Sequence, residues 1–79
     1  MSSDKSADKL VYMANQIGLF FRGQSEAAAI NGTAEHLKKF WDPRMRAAII
    51  KHLDAGGRGL DPWTRQAVEL LRAPARSGS

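Results

Sequence analysis

The dipeptide Asp-Pro occurs twice in this sequence, at Asp42-Pro43 and at Asp61-Pro62, and each occurrence predicts a helix start. An Asp at the N-cap accepts a hydrogen bond from an unpaired backbone N–H, and Pro at the first helical position gives up only an N–H that has no partner there. In both segments an arginine, Arg46 or Arg65, stands three residues after the proline. These two arginines are either paired anchors for a partner or solvated charges on similar helix starts.

Apolar residues recur at helical spacing along the rest of the chain, and the capping residues between them predict four helices. The first predicted helix begins at an N-cap Asp8 and ends at Arg22, and the second covers residues 26–41 after a cap at Ser25. The third runs from Pro43 to the glycines at 56 and 57, and the fourth runs from Pro62 to Arg72. The fold class is therefore all-α, a small bundle of about four short helices. We expect a single helical domain at residues 8–72, with flexible tails, disordered or extended, at residues 1–7 and 73–79.

Each predicted helix has one apolar face that is suited to the core. The predicted core positions are Leu10, Met13, Ala14, Ile17, Phe20 and Phe21 in the first helix, Ala27, Ile30, Ala34, Leu37 and Trp41 in the second, Met45, Ala48, Ile49, His52 and Leu53 in the third, and Trp63, Ala67, Leu70 and Leu71 in the fourth. Other apolar side chains lie beside or away from these faces, which indicates burial against another chain. They are Tyr12, Leu19, Phe40, Ile50 and Val68.

Composition excludes several classes of function. The chain has 79 residues and no cysteine, so disulfides, iron–sulfur clusters and thiolate zinc sites are excluded within it. Its apolar runs are too short to span a bilayer, and its polar start does not have the plan of a signal peptide, so we expect no membrane segment. The net charge of +4 is spread as +1 over residues 1–41 and +3 over residues 42–79, which makes nucleic acid an unlikely partner.

The sequence contains no recognisable catalytic or metal-binding constellation. His36 and His52 are sixteen residues apart and have no ligand at metal-binding spacing, so we expect no metal site. No Ser/His/Asp or Cys/His arrangement is present. The glycine-rich segment at residues 56–60 follows a helix and lacks the Lys-Ser/Thr ending of a phosphate-binding loop, although its glycines could hold Arg58 out towards an acidic partner.

Three segments carry a family resemblance. KLVYMANQIG at residues 9–18, HLKKFWDPRMR at residues 36–46 and GGRGLDP at residues 56–62 resemble, in order and spacing, the delta subunit of the bacterial soluble NAD-dependent molybdenum formate dehydrogenase. The resemblance extends over roughly residues 9–71.

The resemblance implies a non-catalytic accessory subunit of a cytoplasmic complex that oxidises formate to carbon dioxide and reduces NAD+. In that family the alpha subunit holds molybdenum in bis-molybdopterin guanine dinucleotide, iron–sulfur clusters carry the electrons, and the beta subunit holds FMN and the NAD site. The delta subunit holds no cofactor. Its implied partner is the alpha subunit, in a complex that also contains beta and gamma subunits, and its implied role is assembly, cofactor maturation or stability of the alpha subunit.

The predicted contacts with the partner are aromatic and arginine side chains, because these residue types anchor protein interfaces most often. For Trp41, the alternative to partner binding is a position in the core. A small basic helical nucleic-acid-binding protein is the competing function, in which the third or fourth helix would enter a groove. The predicted partner-binding residues are Phe40, Trp41, Arg44 and Arg46, followed by Tyr12, Arg58 and Arg65.

Overall fold

Four helices account for most of the described chain. The computed structural model describes residues 2–72, and within that range it contains helices, turns and no strand. This confirms the prediction of an all-α bundle of about four helices. They are α1 (Ser2–Arg22), α2 (Glu26–Phe40), α3 (Pro43–Asp54) and α4 (Pro62–Arg72).

The first helix begins earlier than predicted. It starts at Ser2, so Asp8 lies inside the helix and residues 2–7 of the expected tail are helical. The prediction of a start at Asp8 was wrong because several Ser and Asp residues precede the apolar run, and each of these residue types is suited to a helix start. Met1 and the expected tail at residues 73–79 lie outside the described residues.

The other helix starts follow the local sequence signals. Before α2, the Ser25 hydroxyl accepts a hydrogen bond of 2.9 Å from the backbone N–H of Ala28. Before α3, the Asp42 carboxylate accepts a hydrogen bond of 2.8 Å from the backbone N–H of Met45. The fourth helix begins at Pro62, as the second Asp-Pro predicts. The Ser25 and Asp42 side chains thereby satisfy N–H groups that a helix cannot pair internally.

The core lies where α2 packs against both α1 and α4, with α3 closing the bundle against α4. Leu37, Ile49 and Val68 are the largest apolar side chains that are completely buried, and they come from three different helices. Each helix therefore buries one face against its neighbours, which is the main source of stability for short helices. The core cluster consists of Val11, Ala14, Leu37, Trp41, Ile49, Leu53, Leu60, Val68 and Leu71.

Several predicted positions within this pattern were wrong. Phe20 and Leu70 were expected in the core but are 71% and 48% exposed, and Ala27 is also exposed. Val68 was expected outside the core but is fully buried, and Ile50 packs partly against the core. Apolar residues that are neighbours on a helical wheel are equally good candidates from sequence, and only the position of the adjacent helices decides which of them is covered.

Two glycines in helices allow side chains of other helices to approach closely. At Gly18 in α1, an added Cβ atom would lie 2.6 Å from the Thr64 Oγ1 atom and 3.0 Å from the Trp63 ring of α4. At Gly32 in α2, it would lie 2.6 Å from the ring of Phe21. A Cβ atom at either position would therefore force the neighbouring side chains to shift, so both glycines favour this close packing.

Asn15 fixes α1 to the segment that leads into α4. Its side-chain N–H donates to the Gly59 carbonyl at 2.8 Å, and its side-chain oxygen accepts from the Asp61 backbone N–H at 3.0 Å. Two turns further along α1, the Arg22 guanidinium lies 4.5 Å from the centre of the Trp63 ring. The first helix thus covers the second Asp-Pro segment through both hydrogen bonds and a cation–π contact.

Candidate partner-binding surface

The first Asp-Pro segment forms a rigid corner between α2 and α3, and we call residues 40–46 the α2–α3 corner. Trp41 ends α2 in an extended conformation and donates its backbone N–H to the Leu37 carbonyl at 3.1 Å. The chain then turns through the capping Asp42 into α3. The corner places the two aromatic residues before it and the two arginines after it in defined positions.

The two aromatic residues of the corner have opposite environments. Trp41 is 5% exposed and belongs to the core cluster, which is the role that the sequence left open as its alternative. Phe40 is 71% exposed, and its ring centre lies 4.7 Å from that of His36. A large exposed aromatic on a rigid corner is typical of a residue that becomes buried in an interface.

The two arginines that follow the Asp-Pro segments have a role that neither alternative from the sequence included. Arg46 is partly buried and donates from Nη1 to the carbonyl oxygens of Lys38, at 3.2 Å, and of Trp41. Arg65 donates from Nη2 to the Gly56 carbonyl at 2.7 Å. Arg46 therefore ties α3 to the end of α2, and Arg65 ties α4 to the glycine-rich loop, which leaves fewer of their donors for a partner.

Arg44, in contrast, is exposed beside an open apolar groove between α1 and α3. We call it the α1–α3 groove. Its volume is about 270 Å³. The two helices that form it contribute residues about 35 positions apart in the chain, which is why no local sequence pattern revealed it. The groove is lined by Lys9, Leu10, Arg44, Met45 and Ala48.

Arg58 lies beside a second and larger groove, between the start of α1 and the glycine-rich loop. We call it the loop groove, and its volume is about 630 Å³. The loop contains three glycines with positive φ, at 124° for Gly56, 64° for Gly57 and 90° for Gly59, a conformation that other residues rarely adopt. The His52 ring nitrogen Nε2 lies 2.8 Å from the Arg58 carbonyl oxygen and holds the loop to α3. The groove is lined by Ala7, Asp8, Val11, His52, Ala55, Arg58 and Gly59.

Tyr12 is exposed on the outer side of α1, as the sequence pattern predicted. It is 65% exposed, and Leu19, two turns further along the same face, is 52% exposed. Phe40 and Arg44 both belong to the α2–α3 corner, and Arg44 also lines the α1–α3 groove, whereas Tyr12 lies on α1 and Arg58 in the loop between α3 and α4. The use of these residues in partner binding stays a prediction.

The described residues contain no group of three or more His, Cys, Asp or Glu side chains that could hold a metal ion. No helix within residues 2–72 combines the length and the hydropathy needed for a membrane span. The candidate partner-binding surface is characterised by its exposed aromatic and arginine side chains and by the α1–α3 groove and the loop groove.

Comparison with known proteins gives one family. Residues 9–68, which are most of the chain, match the sequence profile of the family described as NADH-dependent formate dehydrogenase delta subunit FdsD. This match confirms the resemblance drawn from the three sequence segments. Neither the comparison with curated proteins nor that with solved structures gave a match.

Proposed function

Because the chain belongs to the NADH-dependent formate dehydrogenase delta subunit family, we propose that it is a non-catalytic accessory subunit of the complex. In this proposal it binds the molybdenum-containing alpha subunit and supports its assembly, cofactor maturation or stability. Beta and gamma subunits complete the complex, which works in the cytoplasm. The family match supports the place of the chain in the complex, and its surface supports the role within it.

The observation that carries the binding role is that the α2–α3 corner exposes two side chains on a backbone that is held in place by two others. Phe40 and Arg44 are both exposed there, while Trp41 is buried and Arg46 binds the carbonyls at the end of α2. The exposed side chains are thereby held on a backbone that does not need to reorganise on binding. Such preorganisation lowers the entropic cost of association.

The proposed mechanism is stabilisation by binding. A subunit that binds the folded alpha subunit and has no affinity for its unfolded chain raises the stability of the folded form by mass action. At a free concentration of 100 times Kd this amounts to about 2.7 kcal/mol. No side chain of the accessory subunit has to react for this effect.

The redox groups implied for the complex belong to its other subunits in this proposal. These groups are the bis-molybdopterin guanine dinucleotide molybdenum centre, the iron–sulfur clusters and FMN, with NAD as the substrate. The division agrees with the sequence of this chain, which has no cysteine to supply the thiolates that bind iron–sulfur clusters.

Copurification tests the proposal. The tagged full-length chain is coexpressed with the other subunits, captured at moderate salt, and the eluate is assayed for formate-dependent reduction of NAD+. We expect the alpha subunit and the activity to elute together with the tag. A parallel preparation without this chain should contain less alpha subunit, or alpha subunit with less molybdenum.

Two results would contradict the proposed function. One is an isolated chain that is monomeric, stably folded and never accompanied by the alpha subunit. The other is retention of the chain on duplex DNA with a steep dependence on salt, which would favour the competing nucleic-acid-binding function.

A further inference from the structure

The α1–α3 groove combines an apolar floor with two cationic side chains at its edges. Leu10, Met45 and Ala48 are each partly buried, whereas Lys9 and Arg44 are exposed. Met45 and Ala48 are one turn apart on α3 and so lie on the same face of that helix, and together with Leu10 they form what we call the floor of the groove. The floor offers apolar contact area, and the edges offer two positive charges.

The loop groove on the other side of α1 has a different charge pattern. Arg58 lines it together with Asp8, so a carboxylate of the chain itself shares the groove with the cation. Among residues 7–72, whose side chains the structure describes, the lining of the α1–α3 groove includes no acidic residue. Of the two grooves, the α1–α3 groove is therefore the one that is complementary to an acidic ligand.

We propose that the α1–α3 groove binds an acidic amphipathic segment of the alpha subunit. An apolar side chain of that segment packs against Leu10, Met45 and Ala48, while carboxylates on either side of it pair with Lys9 and Arg44. The inference rests on the proposed function, because that function supplies the partner protein. It adds the part of the surface that is used and the chemistry of the segment that is bound.

A protein segment fits this groove better than nucleic acid does. Phosphate contacts require a row of cationic side chains along the backbone path, and the described lining of this groove combines only two cations with three apolar side chains. The floor contributes to binding only if an apolar group covers it. Arginine and carboxylate also form paired hydrogen bonds, which would fix the register of the segment.

The first experiment measures affinity for the purified alpha subunit with two pairs of matched variants. Arg44→Glu and Lys51→Glu make the same change of charge, at the α1–α3 groove and at an exposed position of α3 outside its lining. Ala48→Phe and Ala47→Phe add the same ring on adjacent positions of α3, the first filling the groove and the second at an exposed position outside its lining. We expect Arg44→Glu and Ala48→Phe to weaken binding by about tenfold or more, and the two controls to stay within about twofold of wild type.

The outcomes separate the two proposals. If wild type binds the alpha subunit and all four variants bind equally well, the groove assignment is wrong and the proposed function stands. Equal weakening by Arg44→Glu and Lys51→Glu would mean that charge acts without a specific site, which also overturns the groove. If wild type itself does not bind, the proposed function fails.

A second experiment uses the wild-type complex, so it does not depend on the folding of any variant. A carbodiimide joins a lysine amine to a carboxylate in contact with it, and mass spectrometry then identifies the linked peptides. We expect Lys9 to be linked to an Asp or Glu of the alpha subunit that has apolar neighbours. Links formed by Lys51, which is exposed on α3 outside the groove lining, but not by Lys9, would overturn the proposal.

A duplex DNA probe labelled with a fluorophore tests the other class of ligand. Wild type and Arg44→Glu are titrated with the probe at low and moderate salt. We expect weak binding that does not distinguish the two proteins. Tight binding that is lost in Arg44→Glu would assign the groove to nucleic acid and overturn the proposal.

Discussion

The two Asp-Pro segments have the same local sequence pattern but different surroundings. The residue after the proline is Arg44 in the first segment and Trp63 in the second. Arg44 is exposed at the α1–α3 groove, whereas Trp63 is partly buried against Gly18 and Arg22 of α1. The pattern therefore determines that a helix starts, and the neighbouring helix determines whether that start belongs to the surface or to the interior.

The comparison separates a segment suited to function from one suited to stability. The second segment is held by the two hydrogen bonds of Asn15 and by the close contact at Gly18. The first is held by its own cap at Asp42 and by Arg46, and leaves Phe40 and Arg44 exposed. Variants in the second segment should accordingly affect folding, and variants at the exposed residues of the first should affect binding.

The largest expected effect is at Gly18. Gly18→Val places methyl groups where Thr64 and Trp63 now lie, so α1 has to move away from α4. We expect the free energy of unfolding to fall by about 2–3 kcal/mol, measured by urea denaturation. The control Gln16→Val, at an exposed position of α1, should change it by less than about 0.5 kcal/mol. Equal stability of the two variants would show that α1 does not pack tightly on the second segment.

The next effect is at Asn15. Asn15→Ala removes both hydrogen bonds to the second segment and leaves the Gly59 carbonyl and the Asp61 N–H without this partner. We expect a loss of about 1.5–2 kcal/mol in the free energy of unfolding. Asp42→Ala, which removes the cap of the first segment, should cost about 1 kcal/mol. A larger loss from Asp42→Ala than from Asn15→Ala would show that the first segment contributes more to stability than the second, which contradicts the comparison.

The smallest effect tests what the two segments share. Arg46→Met and Arg65→Met keep an unbranched apolar stem but remove the donors to backbone carbonyls. We expect each to lower the free energy of unfolding by about 0.5–1.5 kcal/mol, with little dependence on salt because the acceptors are neutral. If either variant has wild-type stability, that arginine is a solvated charge, as one of the sequence alternatives held.

Sequence reasoning predicted the elements of this fold more successfully than their packing. The starts of α2 and α3 were predicted because a cap is a contact between residues a few positions apart, and the start of α4 because Pro suits the first position of a helix. The exposure of Phe20 and the burial of Val68 were predicted wrongly because each residue borders the apolar face of its helix. A difference of one position on the helix surface then decides between core and solvent, and that choice depends on the neighbouring helix.

The candidate site shows the same limit. Phe40, Arg44 and Tyr12 could be selected from the sequence as candidates for partner binding by their chemistry and spacing, and the structure shows that all three are exposed. Lys9 could not be selected, since its relation to Arg44 arises only when α1 lies beside α3. The core position of Trp41 and the carbonyl contacts of Arg46 also depend on side chains folding back onto α2 and the bundle.

The sequence by itself determined the helical class, three of the four helix starts and the family, because these depend on local hydrogen bonding, helical periodicity and residue order. The tertiary structure alone decided which Asp-Pro segment α1 covers and which one keeps an exposed arginine beside a groove. The physical reason is that close packing at Gly18 and the two hydrogen bonds of Asn15 join residues more than forty positions apart. Contacts of that kind leave no periodic or local trace in the sequence.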